Sequence, residues 1–151
     1  MSVAFRRESD EEHLEPKFAR PIPPGPNLVT ARGLALIESK VVEFELLLPN
    51  LSDEGELTAA KRDLKYWRTR HATAQIVEPG DGTSVAFGST VGFRMNGQDR
   101  SITIVGDDEA EPAAGLLSFS APLSRAMIDA EVGDMIDFAN KAEAIEILSI
   151  R

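Results

Sequence analysis

The side chains best able to do chemistry in this chain are carboxylates, and they gather in two places. Asp53, Glu54 and Glu56 fall together in one short stretch, and Asp107-Asp108-Glu109-Ala110-Glu111 puts four acids in five residues. Carboxylates at a turn can ligate a hard cation such as magnesium. They are equally at home in the first turn of a helix, where the partial positive charge of the free amides favours them. The second cluster reads either as a solvated loop or as a surface for a basic partner. Lys61, Arg62, Lys65, Arg68 and Arg70 place five cations in ten residues, against the single acid Asp63. Such a run attracts phosphates or an acidic protein surface, or forms a solvated helix face balanced by Glu38, Glu43 and Glu45. The two histidines, His13 and His71, stand far apart, and cysteine is absent. This excludes a disulfide framework and a thiolate metal site, and no His/Asp/Glu grouping has metal-site spacing. Gly80-x-Gly82 precedes a strand pattern rather than a helix, so it reads as a linker and not a phosphate loop. No catalytic residue, metal ligand set or cofactor of the chain's own is assigned, and the chain is read as something other than an enzyme.

The elements that must carry these residues follow from periodicity. Pro21, Pro23, Pro24 and Pro26 with Gly25 block helix and sheet alike, so residues 1–29 are expected to form a flexible extension. Thr30 caps a helical pattern in which Leu34, Ile37, Val41, Phe44 and Leu48 recur at alternating spacings of three and four. Pro49-Asn50 ends it. Leu57, Ala60, Leu64, Trp67, His71 and Ala74 form a second seam of the same kind. Two seams joined by a short turn predict an antiparallel helical hairpin over residues 30–78. Trp67 is expected to be buried between the arms, near Val41 and Leu36 or Ile37, with His71 packed on the same seam. From residue 79 the period changes to two. Val85, Phe87, Val91 and Phe93 alternate with small or polar residues, Asn96-Gly97 signals a hairpin turn, and Ile102 and Ile104 continue on the return strand. Leu117–Phe119 is a strand candidate, Pro122 opens a short helix running to about Ile128, and Ile136–Phe138 and Ile145 to Ile150 close the domain. The expected class is α+β: a helical hairpin followed, over residues 79–151, by an antiparallel sheet with one helix.

At 151 residues the chain suits one ordinary domain or two small ones. Its net charge of −9 is unevenly distributed: residues 79–151 carry five basic and twelve acidic side chains. That half repels a phosphate backbone at long range, so a basic protein partner suits it better than duplex DNA. No apolar run approaches the length of a membrane span, and the charged opening lacks a secretory pattern. The expectation is a cytoplasmic protein.

Four pieces of the C-terminal half occur in an order that carries a resemblance. They are Phe87-Gly88-Ser89-Thr90-Val91, Ile104 to Pro112 with Gly115, Ser118 to Ala126, and Val132-Gly133-Asp134. Together they resemble the C-terminal domain of the Gre transcription elongation factors, GreA and GreB. Thr30-x-x-Gly33-x-x-x-Ile37, Lys61-Arg62-x-Leu64 and Ala74-x-x-Val77-x-Pro79 resemble the arms of that family's N-terminal coiled coil. The resemblance implies an FKBP-like C-terminal fold that docks at the rim of the RNA polymerase secondary channel while the coiled coil enters it. Nucleic acid is then met only indirectly, through the elongation complex, which is the sense in which DNA binding attaches to the family. In this sequence the implied polymerase-binding residues are Asp107, Asp108, Glu109, Ser118, Ser120, Pro122 and Leu123.

In the family, acids at the coiled-coil tip help hold a second magnesium ion in the polymerase and so promote cleavage of backtracked RNA. The family's tip pattern is absent here. Leu51-Ser52-Asp53-Glu54-Gly55-Glu56-Leu57 stands in its place, on shorter arms. A loss of about ten residues per arm retracts the tip by roughly 15 Å, whereas magnesium ligation tolerates only tenths of an ångström. The expectation is a polymerase-binding regulator of elongation without efficient cleavage stimulation. A full cleavage factor, using polymerase magnesium through Asp53, Glu54 or Glu56, is the alternative. A peptidyl-prolyl isomerase-like protein or a generic interaction module is the alternative from another class. Two departures fall in turns: Asp129 replaces a family glycine, and Asn140-Lys141 replaces a Pro-Gly-Gly hairpin.

Overall fold

The computed structural model describes residues 19–151. The expected extension therefore lies mostly outside the described residues. The chain divides into two compact units. One comprises Leu36–Thr73 with the described residues up to Gly25, and the other comprises Pro26–Ala35 with Ala74–Arg151.

The first unit holds the helical hairpin except for the opening residues of its first helix, Ala31–Ala35, which belong to the second. Helix α1 spans Ala31–Leu47, a 3-10 turn follows at Leu48–Asn50, and helix α2 spans Glu54–Thr73. Pro49 cannot donate to a helical bond and ends α1. Asp53 then caps α2: its Oδ2 accepts from the Glu56 amide at 3.0 Å. Exposed pairs join the two antiparallel arms, Arg68 with Glu45 at 2.9 Å and His71 with Glu38 at 3.3 Å. Ile37, Ala60, Leu64 and Trp67 are buried, as the two seams predict. His71 departs from the expectation: it is exposed and reaches back to Glu38 from the edge of the seam. Arg70 departs the other way, being only 2% exposed. Tyr66 is buried as well, and it meets Trp67 edge to face at 5.1 Å. Arg20, from the segment before the hairpin, lies 4.0 Å over the Tyr66 ring and 5.3 Å from Trp67. The tryptophan is thus buried partly beneath chain that periodicity alone leaves outside the hairpin.

The second unit is α+β. Strand β1, Leu28–Val29, pairs in parallel with β2, Gln75–Ile76. Leu28 and Val29 therefore belong to a strand and not to the extension in which the proline-rich composition places them. A second sheet is built from β3 (Thr90–Met95), β4 (Gln98–Val105), β5 (Leu116–Ser118), β6 (Met135–Phe138) and β7 (Lys141–Ile150), in the order β5-β4-β3-β7-β6. Asn96 and Gly97 join β3 to β4 with φ of 55° and 75°, and Ala139 and Asn140 join β6 to β7 with φ of 54° and 66°. These are the paired left-handed residues that a two-residue hairpin needs. Asp129 also turns through the left-handed region, at φ 73°.

The sheet is mixed where an all-antiparallel one was expected, because β5 runs parallel to β4. The chain leaves β4 at Val105, passes the acidic loop and a 3-10 turn at Pro112–Ala114, and re-enters in the same direction. Helix α3, Pro122–Met127, follows with its proline in the first turn. Val85, Phe87, Val91, Phe93, Ile104, Met127, Ala130, Ile145 and Ile147 form the core between helix and sheet. Burial of such side chains, each contributing about 1.5–3 kcal/mol, holds the unit together. Among the described residues no helix is long and apolar enough to cross a membrane.

Candidate functional site

The loop between β4 and β5 has two sides, and its local bonding explains why. Glu109 N donates to Gly106 O at 3.2 Å and Ala110 N donates to Asp107 O at 3.4 Å. Across these turns Asp107 and Glu109 reach different partners.

On the outer side, Asp107 Oδ1 accepts from Ser118 Oγ at 2.5 Å and from Ser120 Oγ at 2.9 Å. The Ser120 amide in turn donates to Ser118 Oγ at 3.1 Å. The bonds tie the acidic loop to the segment that launches α3. Ser120 and Pro122 are exposed, and Asp107, Asp108 and Ser118 are half-buried. Leu123 is half-buried and packs against the core. The structure thus brings Asp107, Ser118, Ser120 and Pro122 together on one face, with Asp108 beside Asp107 in the chain. The face offers fixed acceptors, hydroxyls and a rigid proline, a combination suited to docking a basic protein surface.

Glu109 is placed otherwise. It is 7% exposed and points inward. Thr30 Oγ1 donates to its Oε1 at 2.5 Å, and Arg32 Nη1 donates to its Oε2 at 2.7 Å. Thr30 Oγ1 also accepts from the Gly33 amide at 2.9 Å, capping α1. Glu109 therefore sits at the positive end of α1 with two donors satisfied, a favourable location for a carboxylate. The resemblance implies a polymerase-binding role for Glu109 together with Asp107 and Asp108, but Glu109 is turned away from the face that carries Asp107. A run of like charges says nothing about which member turns inward. The available signal was the Thr30-x-x-Gly33 pair, since a cap with a glycine in the first turn leaves room for an incoming side chain.

The tip acids are exposed. Asp53 is engaged as the α2 cap, and Glu54 and Glu56 lie in the first turn. The cationic stretch of α2 is broken up: Arg68 is paired with Glu45, Arg62 lies 3.1 Å from Asp63, and Arg70 is buried. Lys61 and Lys65 stay exposed. Among the described residues no three His, Asp or Glu side chains converge as a cation site. The four phenylalanines of the second unit are committed to its core: Phe87 and Phe93 within it, Phe119 and Phe138 packed against it.

Residues 79–151 match the C-terminal domain model of the GreA/GreB transcription elongation factors. The GreA of Helicobacter acinonychis is 33% identical over 114 residues, covering 67% of this chain and 70% of that protein. The GreA of Desulfovibrio desulfuricans is 35% identical over 120 residues, covering 68% and 74%. Among solved structures, a GreA/GreB factor from Nitrosomonas europaea is similar at 22% identity and a TM-score of 0.40, covering 84% of this chain and 98% of that one. The sequence relatives place this two-part α+β protein in the transcription elongation class. The chain belongs to the GreA/GreB family of transcription elongation factors.

Proposed function

We propose that this protein binds RNA polymerase through the face carrying Asp107, Asp108, Ser118, Ser120 and Pro122, with Leu123 supporting it from beneath. Bound there, it regulates elongation at the secondary channel without efficient stimulation of transcript cleavage. The observation that carries the docking half is the hydrogen-bonded union of Asp107 with Ser118 and Ser120, which joins two distant stretches into one rigid acidic face. The cleavage half is supported by the tip, where Asp53 is occupied as a helix cap and its neighbours are first-turn acids. On this reading the protein has no cofactor of its own and supplies no ligand to the polymerase magnesium.

The docking half is tested by replacing Asp107 and Asp108 together by Lys and measuring affinity for core polymerase. Charge reversal at such a face is expected to weaken binding by about 1–3 kcal/mol, roughly five- to 150-fold. Unchanged affinity with an intact fold would overturn it. The cleavage half is tested on backtracked elongation complexes, where RNA shortening should stay at the intrinsic rate. Acceleration that disappears when Asp53, Glu54 and Glu56 are replaced by Ala would establish the full cleavage factor instead.

A further inference from the structure

The acidic loop holds the docking face on one side and the start of α1 on the other, with one residue between Asp107 and Glu109. Gly106, at the head of this loop, is buried so tightly against the Leu28 carbonyl of β1 that a Cβ there would collide with it. Glu109 holds Thr30 and Arg32, and the space above Gly33 is filled by its carboxylate. Strand β1, the first turn of α1 and the acidic loop thus form one continuous contact within the second unit. We propose that Glu109 is a positioning residue that couples occupancy of the Asp107 face to the order of the first turn of α1.

The coupling has a short physical path. Two successive backbone turns, closed at 3.2 and 3.4 Å, link Asp107 to Glu109, so a shift of the loop backbone at Asp107 is carried to Glu109. Glu109 is the shared acceptor for the α1 cap and for Arg32, whose side chain is 69% exposed while that of Glu109 is 4% exposed. Thr30 Oγ1 has one hydrogen, which it gives to Glu109, leaving its lone pairs for the Gly33 amide. Loss of the carboxylate frees the hydroxyl to turn away from that amide. A partner that fixes Asp107 therefore stabilises the first turn of α1. By reciprocity, loosening that turn weakens the partner's grip by the same factor. Glu109 acts on binding although it is buried away from the partner. The coupling stands on the loop geometry; only its consequence for polymerase rests on the docking reading above.

The test uses the full chain and has two arms. In the free protein, amide hydrogen exchange is followed at Gly33 and Leu34, whose amides donate to Thr30 Oγ1 and Thr30 O. Asp107→Asn is expected to speed exchange at both by about fivefold or more, in the range of ordinary allosteric couplings, in a background with Glu109 intact. The same substitution in a Glu109→Ala background, which leaves Thr30 Oγ1 no acceptor at this position, should add nothing. An unchanged rate in the first case, or an equal factor in both, would overturn the coupling. The second arm adds core polymerase. Glu109→Ala should lose affinity by about fivefold or more, with Glu109→Gln recovering part of it through the amide oxygen left for Thr30. Equal affinity of all three proteins overturns the functional consequence. Failure of even the unsubstituted chain to bind overturns the docking reading, and the first arm still decides the coupling.

Discussion

Gly33→Ala should destabilise this protein, although the same change in an ordinary helix stabilises it. Glycine within a helix costs about 1 kcal/mol relative to alanine, so propensity alone predicts a gain of that size. At Gly33 the added methyl would stand 2.8 Å from Glu109 Oε1 and 3.4 Å from Thr30 Oγ1. The carboxylate is the far end of a flexible side chain, so it can move at little steric cost. In moving it gives up the Thr30 and Arg32 bonds, and hydrogen bonds to a charged group contribute about 1.5–3 kcal/mol each. The Arg32 bond is discounted because that side chain is largely in solvent. The balance is a net loss of about 1–2 kcal/mol. The sign must reverse once the carboxylate is gone: in a Glu109→Ala background, Gly33→Ala should stabilise by about 0.5–1 kcal/mol. Urea unfolding followed by circular dichroism, on the four proteins of the cycle, measures this directly. If Gly33→Ala stabilises the protein with Glu109 intact, or carries one sign in both backgrounds, the carboxylate does not occupy the space above Gly33.

Two further stability measurements bear on the packing. Trp67→Ala should cost about 3–5 kcal/mol, since the ring is 6% exposed and meets both Tyr66 and Arg20; a loss under 1 kcal/mol would contradict its burial. Ser124→Ala should be neutral or stabilising by up to about 1 kcal/mol, because the fully buried Ser124 hydroxyl has no protein partner among the described residues. A clear drop in the unfolding midpoint would show that the hydroxyl is satisfied.

The hairpin was legible because helix seams and caps are local. Heptad spacing marked Ile37, Leu64 and Trp67, and Pro49 marked the turn. The Asn96-Gly97 turn and the start of α3 at Pro122 were legible for the same reason, since backbone chemistry at one or two residues decides them. The features that no local pattern marks depend on partners distant in sequence. Leu28 pairs with Gln75 through two residues on each side, too few to leave a period. Arg20 reaches Tyr66 across the chain, so Tyr66 is buried although it lies off the seam. Within the site, Asp107 and the serines were found together because each belongs to a recognisable segment. The inward turn of Glu109 was invisible because its cause is the cap of a helix that begins at Ala31.

The parallel pairing of β1 with β2 has a consequence for how members of such a family could diverge. The segment before α1 and the segment after α2 are stitched side by side, Gln75 N to Asn27 O at 2.9 Å and Val77 N to Val29 O at 3.0 Å. Topologically, the hairpin is a cassette inserted between two adjacent threads of one unit. Closing a loop twice as long adds only about 0.6 kcal/mol of chain entropy. Whole helical turns can therefore be deleted from or added to both arms in step while the stitching and the sheet stay as they are. Arm length is free to change as a trait in its own right, at little cost to the fold that carries the Asp107 face.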